Sequence, residues 1–330
     1  MRILAYEHVT GGGMLDEPGI AALAPEGETM LRALAGDLAS IGGVEVAVMR
    51  DARLPADLPA KAHVARAAGE FWNVFRQAVR EADAVWPIAP EQDGVLARIT
   101  REVLAAGRTL LGSRPDAIEV TASKRKTAAL LSRAGIPVVP AYGDARDVPR
   151  EATAIVVKPD DGAGCRDTLL FRDRAVLQDW LRENGNPGRI FQPFVRGEAR
   201  SLSLVCCEGR ARLLACNRQK VGVADGVFRF DGVSVNAVPD AQECYAALAG
   251  ATAHALPGLW GYCGIDFIES DAGPLVVEVN PRLTTSYAGL RDALGINPAR
   301  LVLGLPRSLD RFDLPARGSR TIEIEVTHAA

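Results

Sequence analysis

The sequence has six cysteines, Cys165, Cys206, Cys207, Cys216, Cys244 and Cys263, but no C-x-x-C pair among them. That absence removes the usual thiol signatures of zinc sites and disulfide exchange. The histidines are few and scattered, at His8, His63, His254 and His328, with no metal-ligand spacing. Charge of one sign is also lacking: the net charge is −3 over 330 residues. Nothing in that balance points to nucleic acid or an anionic membrane as partner. No apolar run reaches membrane-spanning length, and Met1-Arg2 leads straight into a strand-like run instead of a signal peptide. The expectation is a cytoplasmic protein with reduced cysteines. Internal repeats and low-complexity tracts are missing, and so is the Walker A pattern G-x-x-x-x-G-K-[ST].

What is present is an ordinary globular composition, 48% hydrophobic and 24% charged, in a chain long enough for two or three modest domains. The first third alternates strand and helix. Strands are expected at Arg2 to His8, Val44 to Met49, Ala84 to Ile88 and Thr109 to Gly112. Helices are expected at Glu26 to Ile41, Phe71 to Glu81 and Gly94 to Ala106. That order predicts a parallel α/β layer. Gly11 and Gly13 fit a dinucleotide fingerprint, but Asp16 takes its third glycine position, so a nicotinamide site is disfavoured. A loop near substrate or a flexible turn fits better.

Beyond Gly112 the pattern changes. A basic amphipathic helix is expected at Ala122 to Ala134, then strands at Val138 to Tyr142, Ala154 to Lys158 and Leu169 to Phe171. A helix at Ala175 to Glu183 and an apolar segment at Ile190 to Phe194 follow. Ser201 to Cys207 and Ala211 to Asn217 read as a hairpin, Ala241 to Leu256 as a helix, and Thr321 to Val326 as a last strand.

The most informative stretch is Gly264 to Arg282, G-I-D-F-I-E-S-D-A-G-P-L-V-V-E-V-N-P-R. Two apolar runs flank a polar turn and predict a hairpin. Glu278 and Asn280 are two apart and share a face, and Asp266 across the turn can share it too. Two carboxylates and an amide oxygen form a hard oxygen set suited to Mg²⁺ held with substrate phosphates. A strand end with solvated acids is the plain alternative. Arg282 places a cation beside the acids.

Upstream features fit ATP as the ligand of that set. Lys124 and Lys158 supply compact positive charge for phosphates. Gly162 and Gly164, in the loop from Asp160 to Arg166, allow close approach of backbone N–H groups. The segment Ile190 to Phe194 offers main-chain groups to an adenine edge. Each feature alone has a plainer reading: a solvated basic face for Lys124, a hairpin loop for Gly162.

Taken in order, Lys124, Lys158 with its glycine-rich loop, Q-P-F-V-R-G-E and D…E-V-N-P-R resemble the ATP-grasp ligases over roughly residues 115 to 300. The resemblance implies an ATP-grasp fold: an N-terminal Rossmann-like α/β domain at 1–115, a small α+β lid at 116–190 and a C-terminal α+β domain at 191–330. It also implies ligation of a carboxylate to an amine through an acyl phosphate, with release of ADP and phosphate. ATP and Mg²⁺ or Mn²⁺ would be the cofactors. Asp266, Glu278 and Asn280 would hold metal. Lys124, Lys158 and the loop Asp161, Gly162, Ala163 and Gly164 would hold phosphates. Gln192, Pro193, Phe194 and Val195 would take adenine, Glu198 the ribose, and Arg282 the acyl phosphate and oxyanion. The departures are Gln192-Pro193, where many relatives carry a Glu-containing pair, and Cys165, where a small hydroxyl residue is common.

Within that superfamily, Y-E-H-V-T-G-G-G, A-P-E-Q-D-G, K-P-D-D-G-A-G and N-P-R-L-T-T-S-Y look like the branch with the tyramine–glutamate ligase of methanofuran biosynthesis. That resemblance implies glutamate and an aromatic amine, tyramine or tyrosine, as substrates. Arg218 and Lys220 would face glutamate carboxylates or lie in a solvated loop. Thr284, Thr285 and Ser286 would bind a substrate carboxylate or cap a helix. Glu7 or Glu91 would hold an ammonium group, with Tyr6, Trp86 and Tyr287 as possible aromatic neighbours. Oligomeric state is open, with a homodimer as one expectation. A dipeptide or D-alanine–D-alanine type ligase and a non-catalytic nucleotide-binding regulator are the alternatives. A biotin-carboxylase-like enzyme is disfavoured for lack of a carrier region.

Overall fold

The computed structural model describes all residues except 18–19, 56, 163, 240–242, 306–308, 310–319 and 327–330, and the side chain of Ala21. The expected helix start at Ala241 and the site residue Ala163 lie outside the described residues.

The N-terminal region is a parallel sheet of β1 (Arg2–Glu7), β2 (Glu45–Asp51), β3 (Lys61–Ala65), β4 (Ala84–Ile88) and β5 (Thr109–Leu110). Its spatial order is β3-β2-β1-β4-β5, with every pairing parallel. The helices α1 (Ile20–Ala39), α2 (Phe71–Glu81) and α3 (Val95–Ala105) cover it. β1 and β4 are buried along their length, as strands of a doubly covered sheet must be. Strand order reverses between β1 and β4, and ligands of open α/β sheets bind beyond the strand ends at such a point. Glu7 ends β1 there, and Glu91 follows β4.

Two short helices, α4 (Pro115–Thr121) and α5 (Lys124–Arg133), lead into the rest of the chain. Ser123 caps α5 by accepting from the Lys126 N–H at 3.1 Å, and Asp160 accepts from the Arg125 N–H at 2.9 Å. A second, antiparallel sheet follows. Its strands are β6 (Ile155–Pro159), β7 (Leu169–Phe171), β8 (Arg189–Pro193), β9 (Glu198–Cys207), β10 (Arg210–Ala224), β11 (Val227–Val235), β12 (Gly261–Ser270), β13 (Gly273–Asn280) and β14 (Ile322–Glu325). The order is β13-β12-β9-β10-β11-β7-β6-β8, with β14 on β11. Helix α6 (Arg174–Asn184) packs on the β6–β8 part, and α7 (Cys244–Ala255) on β9 and β10. The β6–β8 part joins the rest of the sheet at the pair Val227↔Leu169, with backbone bonds from Leu170 to Gly226 and from Phe228 to Thr168. Last come α8 (Tyr287–Leu294) and α9 (Pro298–Gly304).

The two sheets share one core. Leu31, Leu34 and Leu38 of α1 pack in the same cluster as Ile3 and Val48 of the parallel sheet and Leu290, Leu294 and Val302 of α8 and α9. Helix α1 is therefore sandwiched between the N-terminal and C-terminal regions.

Several expectations needed correction. α1 begins at Ile20, not Glu26, and carries Pro25 inside it. Pro25 is exposed, so its ring faces solvent and the helix loses one backbone bond there. Val138 to Tyr142 makes only isolated bridges, Val138↔Val276 and Tyr142↔Phe191, and is not a strand. The sequence reading missed β3, α4, β11, α8 and α9. In β11 the outer half alternates exposed Val227, Arg229 and Asp231 with Phe228 and Phe230, a pattern hidden by its polar residues.

Candidate active site

A cavity of about 220 Å³ opens between β6 and β8 on one side and β9 to β13 on the other. Its acidic wall comes from the β12–β13 hairpin. Asp266 pairs with Glu278 and Gly264 with Asn280, and the register shifts only after Asp266. The alternation of side chains then puts Asp266, Glu278 and Asn280 on one face. The Asn280 amide donates to Asp266 at 3.2 Å. Burial and the Glu278 carboxylate raise the Asp266 pKa, against hydrogen bonds from Gln219 and Asn280. Burial also works against the Glu278 carboxylate, but Lys124 and Lys158 more than offset it and the net shift is downward. One acid is thus left short of positive charge. Among the described residues no group of three His, Cys, Asp or Glu could hold a metal by itself. Two carboxylates and an amide fit a divalent ion whose remaining ligands are phosphate oxygens and water.

The cationic side faces those acids. Lys124 Nζ lies 3.5 Å from Glu278 and donates to the carbonyls of Asp160, at 3.4 Å, and Gly162. Lys158 is buried, and burial together with Lys124 takes its pKa down to about 8 despite Glu278. The loop after β6 is tied down by Asp160, which accepts from Ser123 Oγ at 2.6 Å. Cys165 in that loop lines the cavity at a left-handed φ of 60°. Burial and Glu278 push its thiol up to about 12, so it is no thiolate nucleophile at neutral pH.

The far end is apolar. Pro193, Phe194 and Val195 line it with Phe267 and Ile268. Gln192 is buried and donates to the Val139 carbonyl at 3.2 Å, so its side chain holds the strand in place. Pro193 has no N–H to offer, which leaves hydrogen bonding to its neighbours.

Near Arg282 the floor is made of hydroxyls. Tyr262 OH lies 3.0 Å from Ser203, 3.1 Å from Thr284 and 3.1 Å from Ser286. Asn217 donates to Ser201 at 3.2 Å and Ser203 at 3.0 Å. Ser286 precedes α8 but makes no capping bond, so these hydroxyls serve the network and not the helix end. Thr285 donates to Glu26.

The cavity therefore gathers Lys124, Lys158, Gly162, Gly164, Gln192 to Val195, Asp266, Glu278, Asn280, Arg282 and Thr284 to Ser286. Six expected residues lie outside its lining. Glu198 shares a strand face with Arg200 and bonds Arg200 and Arg218, while Ala199 and Ser201, on the other face, line the cavity. Arg218 is turned to Glu198, and Lys220 pairs with Glu323 at 3.0 Å. Strand alternation explains both, because Gln219 between them takes the cavity face. Asp161 accepts from the Asp93 N–H at 3.3 Å. Glu91 binds Arg282 at 3.0 and 3.2 Å. Glu7 accepts from the Val9 and Thr10 N–H groups at 3.1 and 2.7 Å, and from the Thr10 hydroxyl at 2.7 Å. Burial raises its pKa, those bonds lower it, and Glu26 raises it, with the net shift upward. Glu7 thus holds the turn from Val9 to Gly13. The triglycine packs there: a Cβ on Gly13 would meet the His8 ring at 2.1 Å. Of the aromatic candidates, Tyr6, Trp86 and Tyr287 are all core.

Glu26 and Gln219 line the cavity and were missed. Gln219 would have been legible had β10 been read past Asn217 to Ala224. For Glu26 no local signal existed, since its place depends on where α1 packs.

The comparisons with known proteins agree with this architecture. A family described as ATP-grasp domain matches residues 121–286, and one described as pre ATP-grasp 3 domain matches residues 44–118. A tyramine–L-glutamate ligase from Methanocaldococcus jannaschii is 26% identical over 206 residues, 62% of this chain and 57% of that protein. A tetrahydromethanopterin:α-L-glutamate ligase from Methanosarcina acetivorans is 28% identical over 251 residues, 62% of this chain and 72% of that protein. A crystal structure described as an ATP-grasp superfamily protein from Archaeoglobus fulgidus superposes with a TM-score of 0.72 at 23% identity, over 92% of this chain and 88% of that one. An L-amino acid ligase from Bacillus licheniformis gives 0.67 at 19% identity, over 97% and 78%. The structural likenesses speak for the fold alone. No helix among the described residues is long and apolar enough to cross a membrane. With the family match running from the start of the basic helix to the hydroxyl-lined floor, the chain belongs to the ATP-grasp family.

Proposed function

We propose that this protein is an ATP-dependent ligase that joins a carboxylate to an amine through an acyl phosphate, releasing ADP and phosphate. The observation that carries the reading is the cavity itself. Lys124 and Lys158 face Asp266, Glu278 and Asn280 across it, and Arg282 sits beside them. Adenine would lie against Phe194 and Val195. The lysines and the Gly162–Gly164 loop would hold the phosphates. Mg²⁺, or Mn²⁺ in its place, would be held by Asp266, Glu278 and Asn280 and would offset charge on the phosphates. Arg282 would stabilise the acyl phosphate and the oxyanion formed when the amine attacks. The loop from Asp160 to Arg166 would exclude water, which otherwise hydrolyses the acyl phosphate. The three-part division at 115 and 190 serves the same scheme, with the last lid strand running on to Pro193.

For substrates we propose L-glutamate, activated at its γ-carboxylate, and tyramine or tyrosine as the amine, in the biosynthesis of a C1-carrier coenzyme of the methanofuran type. The named glutamate ligases among its relatives support glutamate, and the first of them supports the aromatic amine. A dipeptide or D-alanine–D-alanine type ligase is the second reading, since the same acyl-phosphate chemistry serves an amino acid as the amine. The reaction would take place in the cytoplasm on small molecules. The deciding experiment is ADP release from protein with ATP, Mg²⁺ and L-glutamate, adding tyramine, tyrosine or D-alanine separately. Turnover that needs glutamate and an aromatic amine supports the first reading. Turnover on other amino-acid pairs alone discards it.

A further inference from the structure

Arg282 and Glu91 meet across the boundary between the two sheets, 191 residues apart in sequence. The contact is bidentate, Nε to Oε1 at 3.0 Å and Nη2 to Oε2 at 3.2 Å. Nη1 donates to the Leu283 carbonyl at 3.2 Å. Both side chains are nearly withdrawn from solvent, 13% and 9% exposed. Burial works against the guanidinium charge, but Glu91 more than offsets it and the pKa is raised. A guanidinium has five N–H donors in one plane. Three are taken by these bonds, and the carboxylate fork fixes the plane in which the other two point. Glu91 itself does not line the cavity, whereas Arg282 does.

The loop that carries Glu91 makes a second contact with the same site. Two residues on, the Asp93 N–H donates to Asp161 of the glycine-rich loop at 3.3 Å. Asp93 holds a φ of 54° and Gly94 one of 67°. For an aspartate that left-handed conformation costs free energy, and such outliers persist where the surroundings enforce them. The loop thus reaches both the cation at one end of the cavity and the loop over its other side.

We propose that the loop after β4 is a positioning element, and that Glu91 is a positioning residue that sets the Arg282 guanidinium for the ligase reaction. Its ligand is the arginine, so Glu91 is not the holder of a substrate ammonium. The inference rests on the ligase reading above, in which Arg282 touches the reacting phosphate and oxyanion. Catalysis then depends on the N-terminal domain being seated on the C-terminal one.

The test is steady-state ADP release by the full chain, with ATP, Mg²⁺ and the amino-acid and amine pair that the wild type turns over. Glu91→Ala is expected to lower kcat by about 10²-fold, the effect of misplacing a catalytic group by roughly 1 Å. KM for ATP is expected to stay within about twofold, since the proposed adenine segment and the phosphate-binding lysines do not touch Glu91 and Arg282 acts on the transferring phosphate. Formate, a carboxylate small enough for the space left, is expected to restore part of kcat, and chloride none. Glu91→Asp, one methylene short but still charged, is expected to fall between wild type and Glu91→Ala. A folded Glu91→Ala enzyme with wild-type kcat overturns the proposal. A loss that neither formate nor the aspartate variant relieves also overturns it, because it marks a structural role alone. Should Glu91→Ala not fold, Glu91→Asp decides: kcat lowered at unchanged KM for ATP supports the role, and both constants unchanged overturn it. A wild type that releases no ADP with any pair overturns the ligase reading, and this inference with it.

Discussion

Asp266 and Glu278 stand directly opposite each other on neighbouring strands, two half-buried carboxylates, and the Asn280 amide donates to Asp266 at 3.2 Å. Like charges so placed disfavour joint ionisation; burial first and then this repulsion shift Asp266 up, while Glu278, 3.5 Å from Lys124, is shifted down. A divalent ion would reverse that cost for Asp266. That arrangement fits the cation proposed to arrive with the nucleotide.

Glu278→Gln is expected to abolish turnover, by at least about 10²–10³-fold in kcat, with the fold intact. In metal-free protein the same substitution removes the repulsion on Asp266. Its pKa should fall toward the ordinary carboxylate range, followed by carboxyl-carbon NMR titration. An unmoved Asp266 would show that burial alone sets the shift.

Lys158 supplies a pH dependence. Its folded pKa of about 8 lies below the free value of 10.5. Burial therefore costs stability while the ammonium is kept, below about 8, and that cost fades as the pH rises toward the free value. Phosphate binding favours the charged form and should draw a proton in. At pH 8.5 ATP binding is expected to be accompanied by proton uptake, measured by calorimetry in buffers of different ionisation enthalpy. Lys158→Arg, always charged, should bind without that uptake, and turnover should drop because a planar fork replaces a compact ammonium.

The shared core predicts one unfolding transition. Leu34→Ala is expected to cost about 2–5 kcal/mol in denaturant unfolding. Fluorescence from Trp86, in the parallel sheet, and from Trp260, packed on the same core just before β12, should shift together. Separate midpoints would show that the parts unfold independently.

Two glycines of α1 separate packing from backbone effects. A Cβ on Gly27 would lie 2.5 Å from Glu7 Oε2, so Gly27→Ala is expected to destabilise by about 1–3 kcal/mol. Gly36 has nothing within 4 Å of its Cβ position, and Gly36→Ala is expected to stabilise by about 0.4–1 kcal/mol. Thermal unfolding of the two variants side by side gives the signs.

Much of the cavity lining was legible because it is local. Asp266, Glu278 and Asn280 sit on one hairpin, where alternation alone places them. Lys158 and its glycines are adjacent in sequence. What was not legible depends on distant packing. Glu91 reads as a free acid at a strand end until Arg282 arrives from the other region. Arg218 and Lys220 looked suitable by type, but the continuation of β10 turns them away and brings Gln219 in. Glu26 gains its place only because α1 is clasped between the sheets. The parallel sheet was legible from its strand and helix alternation, while β3 and β11, short or polar, carried too weak a pattern.

The acyl phosphate is central to the proposed function, and an isotope decides it. L-glutamate carrying ¹⁸O in its γ-carboxylate would be turned over with ATP, Mg²⁺ and the amine, and the released phosphate analysed by mass spectrometry. Attack of the carboxylate on the γ-phosphorus leaves one ¹⁸O in each inorganic phosphate, and this is the result expected. Unlabelled phosphate, or ¹⁸O found in AMP, would contradict the mechanism and with it the roles proposed for Arg282, Asp266 and Glu278.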